Sequence, residues 1–325
     1  MKDYKVIITD DSDDEHPNLY NYIEPYCDKF EIYYYKREAQ PYTMHCPGNT
    51  RHSGLQKALQ ENTEYILFID CDDKFEENTF GTLKKLIEEA GNPPLYGSWF
   101  KAFDMEENFL HYTENNLGWL HGKCFKKEFL KQYNLQFKVN MYSHEDTYFN
   151  CLVNACLIVN NLQDACAPQE FTFYRWYERI DSCSHDEYVK TGTLYLEKHY
   201  DDYCSSCLDS VLDYTEANAS VLTPFQIEQL FIRCCHNFSL AYLYFQGFLA
   251  NGNPYIYGKA NYKSYKKRLA KLLKLFNATK EDLIKVVYTD PNFYDTNRTA
   301  SFEAVGKYVE QESFKDFING ISFYK

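Results

Sequence analysis

Positive charge is scarce in this sequence, and long runs of apolar residues are absent. The 34 lysines and arginines are outnumbered by 47 aspartates and glutamates, which gives a formal net charge of −13. Such an acidic chain is a poor general binder of nucleic acid or of an anionic membrane surface. No segment is apolar for long enough to span a bilayer, and the opening MKDYKVIITDDSDD lacks the apolar core of a secretory signal. We therefore expect a cytoplasmic protein without a membrane span.

Cysteine is plentiful, with 12 residues in a chain of 325. Many of these cysteines lie inside apolar segments, as Cys151 and Cys234 do, and we interpret them as reduced core residues. The CSSC at Cys204 to Cys207 has the spacing of a redox or zinc motif. No second pair follows at a suitable distance, so a structural role is favoured.

Two kinds of pattern divide the chain. Up to about residue 187, short apolar runs such as YKVIITD and EYILFID alternate with helical patterns, which predicts an α/β domain with a mostly parallel sheet. Ligands of such sheets bind at the carboxyl ends of the strands. Residues 188–325 are helical in periodicity, with Thr279 as one helix cap. A basic stretch at 262–276 is either a solvated helix face or a local basic patch.

The segment EYILFIDCDDKF is apolar from Tyr65 to Ile69 and then carries Asp70, Asp72 and Asp73. An acidic cluster at the end of a buried strand has three explanations. It could bind a hard divalent cation, it could include a catalytic carboxylate with a perturbed pKa, or it could be a solvated acidic loop. The residues of this segment alone leave the three explanations open.

Three blocks in the same order resemble family-2-type glycosyltransferases with the GT-A fold. They are TRHSGLQKALQENTEYILFIDCDD, HGKCFKKEFLKQYNLQF followed by SHEDTYFN, and FTFYRWYERIDSCSH. The resemblance covers about residues 4–187. It implies a GT-A-like, Rossmann-type mixed sheet domain at 1–187, with a nucleotide-sugar half at 1–115 and an acceptor half at 116–187. A helical C-terminal region would then occupy 188–325.

The resemblance also implies roles for the acidic strand end. Asp70 would contact the ribose or a metal ion, and Asp72 would coordinate Mn²⁺ or Mg²⁺ on the diphosphate. Asp73 would support the turn or approach the donor sugar. Arg51 would lie near the base or the diphosphate, and His185 stands where some related enzymes have a late metal ligand.

The resemblance implies that Thr9, Asp10 and Asp11, which follow the first predicted strand in TDDSDDEHPN, would hold the uracil or the ribose. The second strand of the family usually ends in an Asp-Asp-Gly-Ser-type turn that grips the uridine. Here that strand continues as EIYYYKREAQPY, without such a turn. The resemblance therefore supports metal binding more strongly than it supports a particular nucleoside.

On the acceptor side, the resemblance makes Asp146 the general base and Glu145 a residue that orients the sugar or the acceptor. The same acid pair could simply stabilise a helix N-terminus. Trp119 either stacks on an acceptor ring or packs in the core. Lys123 either contacts the acceptor or a phosphate, or is a surface lysine.

The resulting prediction is a metal-dependent, inverting glycosyltransferase of the hexosyltransferase type. It would move a sugar from a nucleotide sugar, such as a UDP-sugar, to a hydroxyl of a saccharide or another acceptor. One alternative is transfer to a hydroxymethylated base in phage-type DNA. The acidic net charge of the chain disfavours this alternative. Another is a nucleotide-sugar-binding module without turnover. A nucleotidyltransferase is disfavoured because no Gly-rich phosphate loop follows the first strand.

Overall fold

The computed structural model describes residues 4–12, 19–36, 46–115, 118–141, 144–179, 205–250, 254–289 and 311–321. The chain forms two compact units, one of Met1–Asn150 with Leu162–Ser182 and one of Cys151–Asn161 with Cys183–Lys325. The domain limits predicted at 115 and 187 stay predictions, because residues 116–117 and 180–204 lie outside the described ranges.

The first unit holds the strands. In chain order they are β1 (Lys5–Asp10), β2 (Glu31–Lys36), β3 (Tyr65–Leu67), β4 (Lys74–Phe75), β5 (Leu95–Gly97), β6 (Trp99–Phe103), β7 (Phe109–Thr113), β8 (Lys123–Lys126), β9 (Ala165–Cys166) and β10 (Thr172–Tyr177). The helices among and after them are α1 (Tyr20–Ile23, continued by a 3₁₀ turn at Glu24–Tyr26), α2 (Pro47–Ala58), α3 (Phe80–Glu89), α4 (Lys127–Gln132) and α5 (Glu145–Val159).

The strands pair in three groups. β1 and β2 form a parallel pair, and two four-stranded sheets have the orders β4-β10-β6-β7 and β3-β8-β5-β9. Three of the seven pairings among the described strands are parallel and four are antiparallel. The mixed α/β architecture is confirmed. The expectation of a mostly parallel sheet is wrong for the described strands, because β4, β7 and β8 run against their neighbours.

Aromatic side chains build much of the core of the first unit. Phe100, Phe125 and Phe173 are fully buried, and the rings of Phe137 and Phe149 stack with centroids 4.2 Å apart. Large rings bury more apolar area than any other side chain, which is why they dominate the core energetics. The high aromatic content of the sequence is therefore in good part a packing feature.

The acidic segment is held in place just after β3. The strand ends at Leu67, sooner than the apolar run predicts, and the ring of Phe68 packs edge-on against Phe125 at 5.9 Å and Phe137 at 5.2 Å. The backbone then turns, with the amide of Asp73 donating to the carbonyl of Asp70 at 3.1 Å. The partly buried ring of Phe68 thus fixes the point from which the carboxylates project.

The described parts of the second unit are helical, as predicted. After a π-helical turn at Ser205–Asp209 come α6 (Ser210–Asn218), α7 (Pro224–Ala250), α8 (Pro254–Leu275), α9 (Lys280–Thr289) and α10 (Gln311–Gly320). The predicted cap of α9 is confirmed: Thr279 Oγ1 donates to Asp282 Oδ2 at 2.7 Å, and the amide of Asp282 donates back at 3.2 Å. No helix in the described ranges is both long enough and apolar enough to cross a membrane.

The basic stretch at 262–276 belongs to α8. Leu269 and Leu272 are fully buried, while Arg268 and Lys271 each lie 3.0 Å from a carboxylate, of Asp209 and Asp213 respectively. The leucines therefore pack in the core, and these two cations are paired with acids.

Ten of the 12 cysteines lie in the described ranges. Burial raises the pKa of the Cys124 and Cys234 thiols well above the usual range, which makes them poor nucleophiles. The interpretation of most cysteines as core residues agrees with this. Cys27, Cys71 and Cys166 are exposed, and Cys204 lies outside the described residues.

Candidate active site

Arg51, on α2, joins the acidic strand end to the start of α5. One guanidinium nitrogen donates to Asp70 Oδ1 at 2.6 Å, and another donates to Glu145 Oε1. Glu145 is the first residue of α5 and is only 4% exposed. Burial alone would lower the pKa of Arg51, but the carboxylates of Asp70 and Asp146 raise it above its usual value. The partly buried guanidinium of Arg51 thus holds one carboxylate from each predicted half of the site.

Helix α2 is fixed at several points, which sets the position of Arg51. The amide side chain of Asn49 exchanges hydrogen bonds with Asn140, at 2.7 Å to its backbone amide and 3.1 Å to its side chain. His52 Nδ1 lies 3.1 Å from the carbonyl of Phe137. Gly54 faces Thr9, where a Cβ would come within 2.9 Å of the threonine Oγ1. A glycine here lets α2 approach β1 closely.

Asp73 has two hydrogen-bond donors and almost no contact with solvent. The hydroxyl of Tyr174 donates to its Oδ2 at 2.6 Å, the backbone amide of Tyr177 donates to its Oδ1 at 3.0 Å, and its side chain is 1% exposed. Burial raises the pKa of Asp73 to about 6, and the negative charge of Asp70 acts in the same direction, although both hydrogen bonds lower it. In contrast, the positive charge of Arg51 overcomes burial and holds the pKa of Asp70 well below its usual value.

His121 completes this group. Its Nε2 lies 3.6 Å from Asp70 Oδ2 and 3.7 Å from Asp73 Oδ2. The ring is stacked on Tyr174 at 4.8 Å and on Trp119 at 5.6 Å. One ligand atom from the histidine and one from each aspartate all lie within 4.8 Å of one another. Carboxylate oxygens and an imidazole nitrogen at this spacing fit a divalent cation.

Gly122 explains the backbone path that places His121. Its φ of +69° lies in the left-handed region, and a Cβ would be 2.6 Å from the carbonyl oxygen of Ser98. The amide of Ser98 also donates to the carbonyl of Gly122 at 2.8 Å. The HGK sequence therefore requires glycine at its centre.

Substituting Gly122 with Ala should destabilise the protein by about 1–3 kcal/mol, because the new methyl group meets fixed backbone at a positive φ. Gly81, in α3, has no atom within 4 Å of the site of a Cβ. The matched variant Gly81→Ala should be neutral or slightly stabilising. Urea denaturation of both variants measures the difference. Equal stability of the two variants would contradict this account.

Asp72 is placed apart from that group. Its Oδ2 lies 3.0 Å from Arg179 Nε. The structure thus brings together Asp70, Asp73 and His121, whereas the resemblance assigned metal binding to Asp70, Asp72 and His185. Residue 185 lies outside the described ranges.

The predicted nucleoside residues lie at the end of β1. Asp10 is buried and accepts three hydrogen bonds, from the Ser12 amide at 2.9 Å, the Ser12 hydroxyl at 2.6 Å and the Tyr34 hydroxyl at 2.5 Å. Burial would raise the pKa of Asp10, but these bonds lower it on balance. Asp11 is partly exposed next to it, and Thr9 faces Gly54. Asp10 is therefore oriented by its own neighbours.

The predicted acceptor residues are partly internal. Lys123 is 4% exposed and donates to the carbonyl of Trp119, so its interpretation as a surface lysine is wrong. Asn150 donates to the same carbonyl at 2.9 Å. Trp119 is partly buried and packs on Phe100 and His121. Asp146 is partly exposed in the first turn of α5, and its Oδ1 accepts from the amide of Thr147 at 2.7 Å.

The sequence reasoning did not assign roles to His121 or Tyr174, although both lie in blocks that carry the resemblance. A histidine before Gly-Lys and a tyrosine before Arg were visible. What sequence could not show is that β8 and β10 bring both rings against the end of β3.

Residues 1–144 match the model of the family described as Glycosyl transferase family 2. The resemblance to the family-2-type glycosyltransferases is confirmed. Among solved structures, TarS 1–349 of S. aureus in complex with UDP-GlcNAc superposes with a TM-score of 0.57 at 15% identity, over 99% of this chain and 84% of that one. The same protein in complex with UDP gives a TM-score of 0.56 at 13% identity, over 98% and 81%. Identities this low establish the GT-A-like fold and nothing finer. A comparison with curated proteins found no significant match.

Proposed function

We propose that this protein is a metal-dependent, inverting glycosyltransferase that moves a sugar from a UDP-sugar to an acceptor hydroxyl. The observation that carries the proposal is the Arg51 junction, in which one guanidinium bonds both Asp70, at the acidic strand end, and Glu145, beside Asp146. This arrangement puts a donor-side carboxylate and a candidate base around one fixed cation. The family match and the GT-A-like fold support it.

On the donor side, Thr9, Asp10 and Asp11 would bind the nucleoside, and the carboxylates after β3 would face the diphosphate. Arg51 would add positive charge near the diphosphate. A Mn²⁺ or Mg²⁺ ion held at this strand end would supply charge neutralisation for the departing diphosphate. The proposal is supported by the ligand atoms of Asp70, Asp73 and His121, which lie within 4.8 Å of one another. Asp72, which pairs with Arg179, stays a candidate for contact with the diphosphate.

On the acceptor side, Asp146 would accept the proton of the attacking hydroxyl. The hydroxyl oxygen then forms a bond to the anomeric carbon while the bond from that carbon to the diphosphate oxygen breaks, and this single displacement inverts the configuration. Glu145, fixed by Arg51, would orient the acceptor or the sugar. Trp119 and Lys123 would shape the wall of the acceptor site, with the lysine acting through the backbone of the tryptophan.

Metal-dependent stabilisation by a UDP-sugar is the expected result of a thermal-shift panel. UDP-GlcNAc is the first donor to include, since the superposed TarS crystals contain it. A ligand present at 100 times its Kd stabilises the folded state by about 2.7 kcal/mol, which raises the Tm measurably. UDP release should then be detected with the donor that shifts the Tm. A panel in which no nucleotide sugar shifts the Tm, with or without Mn²⁺, would refute the proposal.

The DNA-modifying alternative has less support from the structure. Arg268 and Lys271, in the basic stretch that it would use, are paired with acids on the described helices. A gel shift with duplex DNA that weakens as salt rises would reinstate it. Donor stabilisation without any turnover over a broad acceptor set would favour the non-catalytic binding module.

A further inference from the structure

We propose that His121 is a nitrogen ligand of the divalent cation and that, with Asp70 and Asp73, it forms a mixed oxygen–nitrogen metal site. The inference rests on the proposed function, since it names the residues and the type of metal at that site. It differs from the set that the family resemblance implies, in which Asp72 and His185 supply ligands beside Asp70.

The imidazole of His121 is built into its position. The residue is 7% exposed, and its Nε2 faces the Oδ2 atoms of both aspartates. Among the described residues, its Nδ1 has no hydrogen-bond partner. The ring is therefore oriented by stacking, with Tyr174 at 4.8 Å and an interplanar angle of 19° and Trp176 at 6.2 Å and 28°. A pre-oriented ring loses little freedom when a cation binds.

The two carboxylates have lone pairs left for a cation. Asp70 uses Oδ1 for Arg51, which leaves Oδ2 on the side of His121. Asp73 accepts one hydrogen bond at Oδ2, from Tyr174, and a carboxylate oxygen has a second lone pair. The same tyrosine hydroxyl also accepts from the amide of Asp70 at 3.3 Å, so it fixes both carboxylate-bearing residues. Second contacts of this kind orient metal ligands.

The carboxylates in this group carry more negative charge than the guanidinium of Arg51 neutralises. Arg51 is shared between Asp70 and Glu145, so the guanidinium neutralises only part of this negative charge. Asp73 adds a further carboxylate in a side chain that is 1% exposed. Burying a charge is costly unless a partner compensates it. A divalent ion between Asp70 and Asp73 would compensate both.

A nitrogen ligand makes the site selective. Mg²⁺ prefers an all-oxygen octahedron, whereas first-row transition metals accept imidazole readily. We therefore expect Mn²⁺ and Co²⁺ to bind more tightly than Mg²⁺. We expect the substitution His121→Gln to reduce this difference in affinity.

Electron paramagnetic resonance of the Mn²⁺-loaded protein, in the presence of UDP, tests the assignment without relying on activity. Electron spin-echo modulation detects a directly bonded ¹⁴N. We expect this modulation in the wild type and its loss in His121→Gln, together with Mn²⁺ binding weaker by about 10–100-fold or more, the loss seen even for outer ligands. His52→Gln is the matched control, because His52 lies on α2 against the carbonyl of Phe137. It should keep the modulation.

A double variant, His144→Gln with His185→Gln, keeps the test decisive if His121→Gln does not fold. Modulation that persists in this double variant supports His121. The assignment would be overturned if the wild type shows no ¹⁴N modulation. It would also be overturned if the double variant loses the modulation while His121→Gln keeps it. UDP-sugar turnover that needs no metal would also overturn the metal site while leaving the proposed sugar transfer standing.

Discussion

Substituting Asp146 with Asn is expected to lower kcat for sugar transfer by about 10²–10⁴-fold, the range typical of a lost general base. The amide cannot accept the proton of the acceptor hydroxyl, although it fills nearly the same volume. Affinity for UDP should stay close to that of the wild type, since Asp146 would touch the acceptor and not the nucleotide. Transfer kinetics with the donor found by thermal shift, and UDP titration by calorimetry, measure the two effects.

Asp164→Asn is the matched control for this experiment. The side chain of Asp164 is exposed and lies outside the site described above. The control should behave as the wild type does in both assays. Unchanged turnover in Asp146→Asn would remove this residue as the base, and a parallel loss of UDP affinity would place it on the donor side.

Substituting Arg51 with Met is expected to cause the largest loss of stability among single changes in the site. Two carboxylates, of Asp70 and Glu145, would face the position without their cation, and Glu145 is almost fully buried. Breaking a buried ion pair by removing one partner costs about 3–5 kcal/mol. The side chain of Asp70 is 38% exposed, so the loss should fall toward the lower end of that range. Urea denaturation at neutral pH measures it.

Two further variants separate charge from packing in that result. Lys74→Met removes the cation of an exposed pair with Glu107 and should change stability little. Combining Arg51→Met with Glu145→Gln removes one of the stranded charges and should recover part of the stability. A loss for Arg51→Met no larger than for Lys74→Met would show that the junction contributes nothing measurable.

The acidic strand end shows how far sequence reasoning reaches. The apolar run, the position of Asp70 after it and the acid pair at Glu145 are local patterns, and the structure joins Asp70 and Glu145 through Arg51. The capping box at Thr279 is equally local. Local patterns sufficed there because the atoms that decide those structures lie within a few residues of one another.

The sequence could not predict contacts between side chains on segments that are far apart in the chain. His121, just before β8, stacks on Tyr174 of β10, and nothing in either segment encodes that contact. Side-chain direction after a turn is a second limit: Asp72 and Asp73 are adjacent, yet one meets Arg179 and the other meets Tyr174. The burial of Lys123 is a third, since lysine is rarely internal.

The shared guanidinium of Arg51 has a thermodynamic consequence. A ligand that draws Asp70 toward itself weakens one of the two bonds of Arg51 and so alters its hold on Glu145. If donor binding changes the affinity for the acceptor by some factor, acceptor binding must change the affinity for the donor by the same factor. We expect such coupling between the two substrates to act through this side chain. Calorimetric titration of each substrate with the other present measures that cooperativity, and Arg51→Met should abolish it.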